Sequence, residues 1–286
     1  MRIRMDPNSI DWAGVWDEAV RRYLVFHGME DGIYWKDKKA AIRFSEHAKR
    51  DNWAAGREKL HGIGYDESSR VLDIGPGPGT MAIPFAEKVA HVTTVESSVP
   101  MAEVLMSNAE EAGLGNIDTV CKDWLDTDVG SDLSGKYDVV IASHSLGMPD
   151  IRCAIEKMQA ACCGRIYLYF FSGLTSWDQR YAQLWPLLHG TEYVTLPRMN
   201  ILYNVLYSMG IYPYMEVTAR SFFTTYESIG AACDAHSTRC KAKSDEKRFI
   251  LEQYLSKELE LKDGKYYEKE SFLDTKVWWN VRERKD

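Results

Sequence analysis

The stretch Val71-Leu72-Asp73-Ile74-Gly75-Pro76-Gly77-Pro78-Gly79-Thr80 constrains the fold of this chain more than any other. An apolar run closes on a carboxylate, glycines alternate with prolines, and a helix-compatible segment follows from Met81. Strand, tight turn and helix in that order predict the first unit of a doubly wound α/β sheet, where ligands sit beyond the carboxyl ends of the strands. Glycine at alternate positions lets the backbone turn sharply and approach a ligand closely. The spacing is G-x-G-x-G, not the G-x-G-x-x-G of a dinucleotide loop, and Thr80 stands where the third small residue belongs. Pro76 and Pro78 have no backbone N–H, which removes donors that a phosphate cradle needs. Asp73 adds a charge that would repel a pyrophosphate.

The same carboxylate suits a cationic ligand. S-adenosylmethionine carries a sulfonium and an ammonium and no phosphate. On these residues the chain resembles the class I S-adenosylmethionine-dependent methyltransferases, whose first motif is a hydrophobic strand, an acid and G-x-G-x-G. The resemblance implies an α/β fold with a doubly wound, seven-stranded, mostly parallel sheet. It implies methyl transfer as the activity, S-adenosylmethionine as cofactor, and cofactor contacts at Asp73, Gly75, Pro76, Gly77, Gly79 and Thr80. It is strong over residues 70–172, extends over 213–283, and says nothing of residues before 64 or of the segment after the fifth strand.

His91–Glu96 is rich in β-branched residues, reads as the second strand and ends in an acid. Glu96 follows Asp73 by 23 residues, the separation at which an acid binds ribose hydroxyls. One carboxylate can accept from two adjacent hydroxyls. The resemblance gives Glu96 the same role and adds Ser97 and Met101 beside it. Ser98 is a capping residue for a helix through Met101, Val104, Leu105 and Ala109. Residues 116–121 read as the third strand, followed by Lys122-Asp123-Trp124. The resemblance implies that Asp123 accepts from the adenine amino group and Trp124 flanks the ring; the alternative for Trp124 is a core position.

Residues 137–142 read as the fourth strand, opening onto Ser143-His144-Ser145-Leu146-Gly147-Met148-Pro149-Asp150. In the family this loop faces the transferring methyl, which places Ser143 at the cofactor. His144 is the candidate catalytic residue, because histidine is the side-chain type suited to proton transfer near neutrality; its alternative is a hydrogen bond to backbone or a cofactor contact. The loop is not the Asn/Asp-Pro-Pro-aromatic motif of amino-directed nucleic-acid methyltransferases.

Residues 1–64 are expected to form a helical cap, and residues 65–286 the methyltransferase domain. Trp12, Trp16, Val20 and Tyr23 or Leu24 recur at helical spacing, with breaks at Gly28 and Gly32. A second helix is expected from Asp37 to Arg50, and a third is capped by Asp51 or Asn52. Trp35, Phe44 and Trp53 supply more aromatic surface than a small helical hairpin needs. After a fifth strand at 165–171, residues 174–213 form an aromatic-rich helical insertion, broken near Pro197. Its Trp177, Tyr181 and Tyr193, with Trp35, Phe44 and Trp53, are the candidate substrate-pocket residues; plain amphipathic packing is the alternative. Residues 214–218 and 276–281 read as the last two strands, and Asp263-Gly264 as a turn.

The 42 acidic side chains outnumber the 35 basic ones, giving a net charge of −7, which offers no general attraction to nucleic acid or anionic membranes. No apolar run is long enough to span a bilayer and no secretory signal opens the chain, so a cytoplasmic location with reduced cysteines is expected. Cys233, His236 and Cys240 are close in sequence, but a helical stretch explains their spacing and no metal is expected. The expected partner is a small-molecule acceptor, with no nucleic acid and no membrane; the oligomeric state is unknown. A protein methyltransferase and a non-catalytic cofactor-binding protein are the competing readings. The intact set of Asp73, three glycines and Glu96 argues against the second. A nucleotide-dependent oxidoreductase is poorer still, for the loop reasons above.

Overall fold

The computed structural model describes residues 10–29, 35–50 and 52–281. Three helices precede the first strand: α1 (Trp12–His27), α2 (Lys38–Ala48) and α3 (Ala54–Leu60). On α1 the predicted Trp16, Val20 and Leu24 are buried, whereas Trp12 and Tyr23 are half-buried and Ala13 completes the buried stripe in place of Trp12. Gly28 ends the helix in the left-handed region, its N–H donating to the Leu24 and Val25 carbonyls. Gly32 and Asp51 lie outside the described residues. The start of α3 departs from expectation. Its N-cap is Trp53, left-handed and without a side-chain cap, and Asn52 is left-handed too. Burial of the Trp53 ring in the apolar core fixes this turn in place of a polar cap.

Then β1 (Arg70–Ile74), α4 (Ala82–Ala86), β2 (His91–Val95), α5 (Val99–Glu111), β3 (Ile117–Val120), β4 (Tyr137–Ser143), α6 (Ile151–Ala161) and β5 (Cys162–Ser172) follow in sequence. The strands lie in the order β3-β2-β1-β4-β5, with every neighbouring pair parallel. The chain leaves β1 towards β2 on one side and returns to β4 on the other. This is the topological switch point, beyond whose carboxyl ends doubly wound sheets bind ligands. Asp73 sits there, opposite Thr94 of β2 and Ile141 of β4. Val71, Ile83, Phe85, Val92, Leu105 and Ile141 form much of the core beneath it.

After β5 come α7 (Ser176–His189), α8 (Met199–Ser208), β6 (Tyr214–Tyr226), α9 (Ile229–Ser237), α10 (Asp245–Glu258), β7 (Glu260–Lys262) and β8 (Lys265–Asn280). The full order is β3-β2-β1-β4-β5-β8-β6, with β7 paired to β8. The expected count of seven strands is therefore corrected to eight among the described residues. The added strand, β7, is one arm of a tight antiparallel hairpin. Asp263 and Gly264 both take positive φ, +49° and +75°, between paired Lys262 and Lys265, the geometry of a type I′ turn. Strands β6 and β8, at 13 and 16 residues, far outrun the short segments the sequence predicts.

The chain forms two compact units. The first holds Met1–Phe170, Asn200–Glu216 and Lys276–Asp286; the second holds Phe171–Met199 and Val217–Thr275. The segment read as a cap thus belongs to the unit that contains β1 to β4, and the 174–213 insertion is shared between the two units. In the second unit Leu184, Leu188, Ala232, Leu251 and Leu255 pack α7, α9 and α10 together. Beside this core runs a buried polar chain. Arg180 pairs with Glu268 at 2.8 Å and Glu270 at 3.0 Å. Glu268 also accepts from the Tyr226 hydroxyl at 2.7 Å and lies 3.2 Å from His236 Nε2, whose Nδ1 is 2.9 Å from the Tyr181 hydroxyl.

Candidate functional site

The glycine loop after β1 is shaped by backbone geometry that other residues resist. Gly75, Gly77 and Gly79 all have positive φ, at +67°, +58° and +99°. At Gly75 a Cβ would sit 2.3 Å from the Ser145 Cβ, so the first loop and the strand-four loop can meet only at glycine. Ser145 seals the contact by donating to the Ile74 carbonyl. Asn108 of α5 donates to the Pro78 carbonyl at 2.8 Å and to Ser45 Oγ of α2 at 2.9 Å. On α3, Gly56 lies so close that a Cβ there would fall 1.8 Å from the Thr80 carbonyl oxygen. The N-terminal helices therefore grip the loop, a task for Ser45, Gly56 and Asn108 that the sequence does not announce.

Two carboxylates stand at the loop. Asp73 is buried, and neither of its oxygens has a hydrogen-bond partner among the described residues. Burial first, then the neighbouring Glu96 charge, push it up to about 7, against the opposing Lys59 ammonium and Ala82 N–H. Glu96 is also buried and accepts from the Ser98 N–H at 2.9 Å. Burial raises its pKa, while the Ser98, Gly77 and Ser97 N–H groups pull the other way and Asp123 adds to the rise. A buried carboxylate with unanswered oxygens is costly unless a cation or donor meets it. The donor set at this loop thus fits a cationic, phosphate-free ligand, and Asp73, Glu96 and the loop backbone are the groups that could hold it.

Lys59 is a further residue that the sequence does not announce. It reaches from α3 to the end of β4, where its ammonium donates to Ser143 Oγ at 3.1 Å and lies 4.3 Å over the Tyr169 ring. His144 follows Ser143 in the left-handed region, at φ +57°, with its N–H on the Tyr169 carbonyl at 2.9 Å. A non-glycine residue held there is strained, and such residues gather at functional sites. Met101 is fully buried in a small cluster with Ala41 and Val104, and Ser97 is half-buried. Pro76 is buried and Thr80 half-buried at the loop itself. The Asp123 carboxylate accepts from the Leu125 N–H at 2.8 Å.

The aromatic candidates divide. Trp35 and Phe44 stack at 4.8 Å, and the Phe44 ring lies 3.7 Å from the place of a Gly77 Cβ, so this pair comes to the loop. Trp35 is tied down by Ser98 Oγ, which donates to its carbonyl. Trp53 is a core residue of the first unit. Trp124 is buried too, its Nε1 donating to the Ala154 carbonyl at 3.0 Å, the core alternative raised for it above. In the second unit Trp177 packs against Phe171 and Phe272, and Tyr193 against Tyr181 and Trp185. Tyr181 is buried on His236. No group of three or more metal-binding side chains is arranged to hold an ion among the described residues. None of their helices is long and apolar enough to cross a membrane.

Residues 71–163 match the family model described as a methyltransferase domain. A protein of Haemophilus influenzae described as uncharacterized is 29% identical over 255 residues, covering 87% of this chain and 89% of its own. The ribosomal RNA small subunit methyltransferase A of Desulforapulum autotrophicum is 30% identical over 89 residues, 31% of either chain. Among solved structures, the YcgJ protein from Bacillus subtilis superposes with a TM-score of 0.53 at 15% identity, covering 78% of this chain and 97% of that one, a likeness of fold.

Proposed function

We propose that this chain, a class I S-adenosylmethionine-dependent methyltransferase, transfers the methyl group to a small, partly apolar acceptor held at the carboxyl ends of β1 and β4. The observation that carries the acceptor class is the Trp35–Phe44 stack against Gly77. A large aromatic surface at the loop favours a flat or apolar small molecule over a charged polymer. The acidic balance of the chain and the Ser143-His144-Ser145-Leu146 loop support the same reading. The match to the ribosomal RNA enzyme covers 31% of that chain, so it bears on the shared domain rather than on the acceptor.

When bound, the cofactor supplies an electrophilic methyl on a sulfonium. The residues then have orienting tasks. Asp73 faces positive charge, Glu96 takes ribose hydroxyls, and Lys59 meets a carboxylate. Trp35 and Phe44 keep water from the reacting end, which matters because positioning and dehydration supply most of the protein's part in such a displacement. His144 takes the proton of an acceptor that enters protonated.

A mobility-shift titration with RNA and DNA at low salt separates the acceptor classes. The expected result is no complex at micromolar chain. Tight, salt-dependent binding would replace this reading with a nucleic-acid methyltransferase.

A further inference from the structure

Strand β6 is the last in the sheet order and therefore an edge. It runs for 13 residues, none of them fully buried. Tyr214 is 65% exposed and Phe223 61%, with Met215, Val217 and Phe222 open beside them. A long edge presents unpaired backbone donors and acceptors to any strand that can reach it. Natural edges are usually guarded by lysine, proline or a charge pattern. Tyr214–Tyr226 contains no lysine and no proline. It carries one acid, Glu216, and one base, Arg220, four positions apart. Apolar side chains are thus open on both faces of this edge, Tyr214 and Phe222 on one and Met215, Val217 and Phe223 on the other.

We propose that the β6 edge pairs antiparallel with β6 of a second copy of this chain, about a two-fold axis through Thr218. In that register Glu216 lies opposite Arg220 of the other copy, Tyr214 opposite Phe222, and Thr218 opposite itself. These residues share one face of the strand, because side chains alternate with period two. Opposite charges, aromatic pairs and Thr–Thr pairs are the cross-strand combinations that stabilise an antiparallel ladder. The two-fold makes each unlike contact occur twice, as an isologous interface requires. The charges also select against slippage. An axis at Glu216 sets glutamate against glutamate, and an axis at Arg220 sets arginine against arginine. An axis at Val217 or Ala219 leaves neither charge facing its opposite. Glu216 bonds Lys276 of its own chain through Oε2 at 2.6 Å and is still 56% exposed, so its other oxygen remains for the facing arginine.

Sedimentation velocity on the intact chain tests the pairing. The wild type is expected to sediment at twice the chain mass. Glu216→Lys and Arg220→Glu each set like charges opposite one another and should each sediment as monomers. Mixed in equal amounts, the two variants regain opposite charges at both positions, and the dimer should return. That recovery also reports that each variant is folded. Thr218→Cys should give a covalent dimer on mild oxidation, in excess of wild type and of Ser221→Cys. A wild type that stays monomeric up to 100 µM, on the order of typical weak-dimer concentrations, would overturn the proposal. So would charge variants that associate as the wild type does, a mixture that stays monomeric, or Thr218→Cys cross-linking no better than Ser221→Cys.

Discussion

Replacing Arg180 with methionine is expected to cost about 3–5 kcal/mol of stability, the effect of removing one partner from a buried ion pair while the other stays. The guanidinium is 9% exposed and lies between Glu268, at 2.8 Å, and Glu270, at 3.0 Å. Methionine fills a similar volume but strands both carboxylates. Changing Glu268 and Glu270 to glutamine in the same chain removes the stranded charges and should recover much of the loss. The pH dependence gives an independent reading. Burial pushes Glu268 up, but His236, Arg180 and the Tyr226 hydroxyl outweigh it and hold the carboxyl below its ordinary value. A depressed carboxyl contributes stability above its unfolded pKa and loses it as pH falls through the folded one. The wild type should therefore weaken below the ordinary carboxylate range, and Arg180→Met should show a smaller acid loss. Urea unfolding at neutral and acidic pH measures both. An unchanged midpoint for Arg180→Met would show that the polar chain contributes nothing.

The second large effect is at Asp73. Its carboxyl is pushed up to about 7, by burial first and by Glu96 next, with Lys59 and the Ala82 N–H opposing. The folded chain thus keeps a proton that the unfolded chain has released between the ordinary aspartate range and neutrality. In the free protein this contribution to stability is full at low pH and falls as pH rises through that window. A cationic cofactor has the opposite preference, because it binds the ionised form. Affinity for S-adenosylmethionine should rise about fivefold from pH 6 to pH 7, as the ionised fraction of a group with that pKa goes from about a tenth to about a half. Binding should release a proton over the same range. Calorimetry in two buffers of different ionisation enthalpy counts that proton. Asp73→Asn should bind more weakly at neutral pH, lose most of the pH dependence and stabilise the free protein above pH 7. Glu96, also raised by burial, accounts for whatever dependence remains. Equal affinity at both pH values, with no proton released, would remove Asp73 from the role of counter-ion.

The first half of the sheet was legible because its signals are local. Gly75, Gly77 and Gly79 stand where φ is positive, and Glu96 ends a strand at a fixed remove from Asp73. The long β8 was not legible, because its pattern is inverted. Its buried positions include Glu268, Glu270 and Asp274, so the usual alternation of apolar inside and polar outside is absent. Those charges become intelligible only once Arg180, about 90 residues away, is placed beside them. Lys59 was hidden for the same reason: its bond to Ser143 spans 84 residues. Aromatic residues gave the least specific signal. Trp35 and Phe44 come to the loop, whereas Trp53, Trp124 and Tyr181 are buried, because a large ring stabilises a core as readily as it walls a pocket.

A calorimetric titration of the intact chain with S-adenosylhomocysteine, set beside NAD and repeated on Glu96→Ala, tests the central claim most directly. The account predicts one S-adenosylhomocysteine per chain, little or no heat from NAD, and an affinity reduced by about 1–3 kcal/mol in Glu96→Ala, the loss of hydrogen bonds to a charged group. Absence of S-adenosylhomocysteine binding, or tight NAD binding, would contradict the reading of the loop, and equal affinity in Glu96→Ala would contradict the site placed around it.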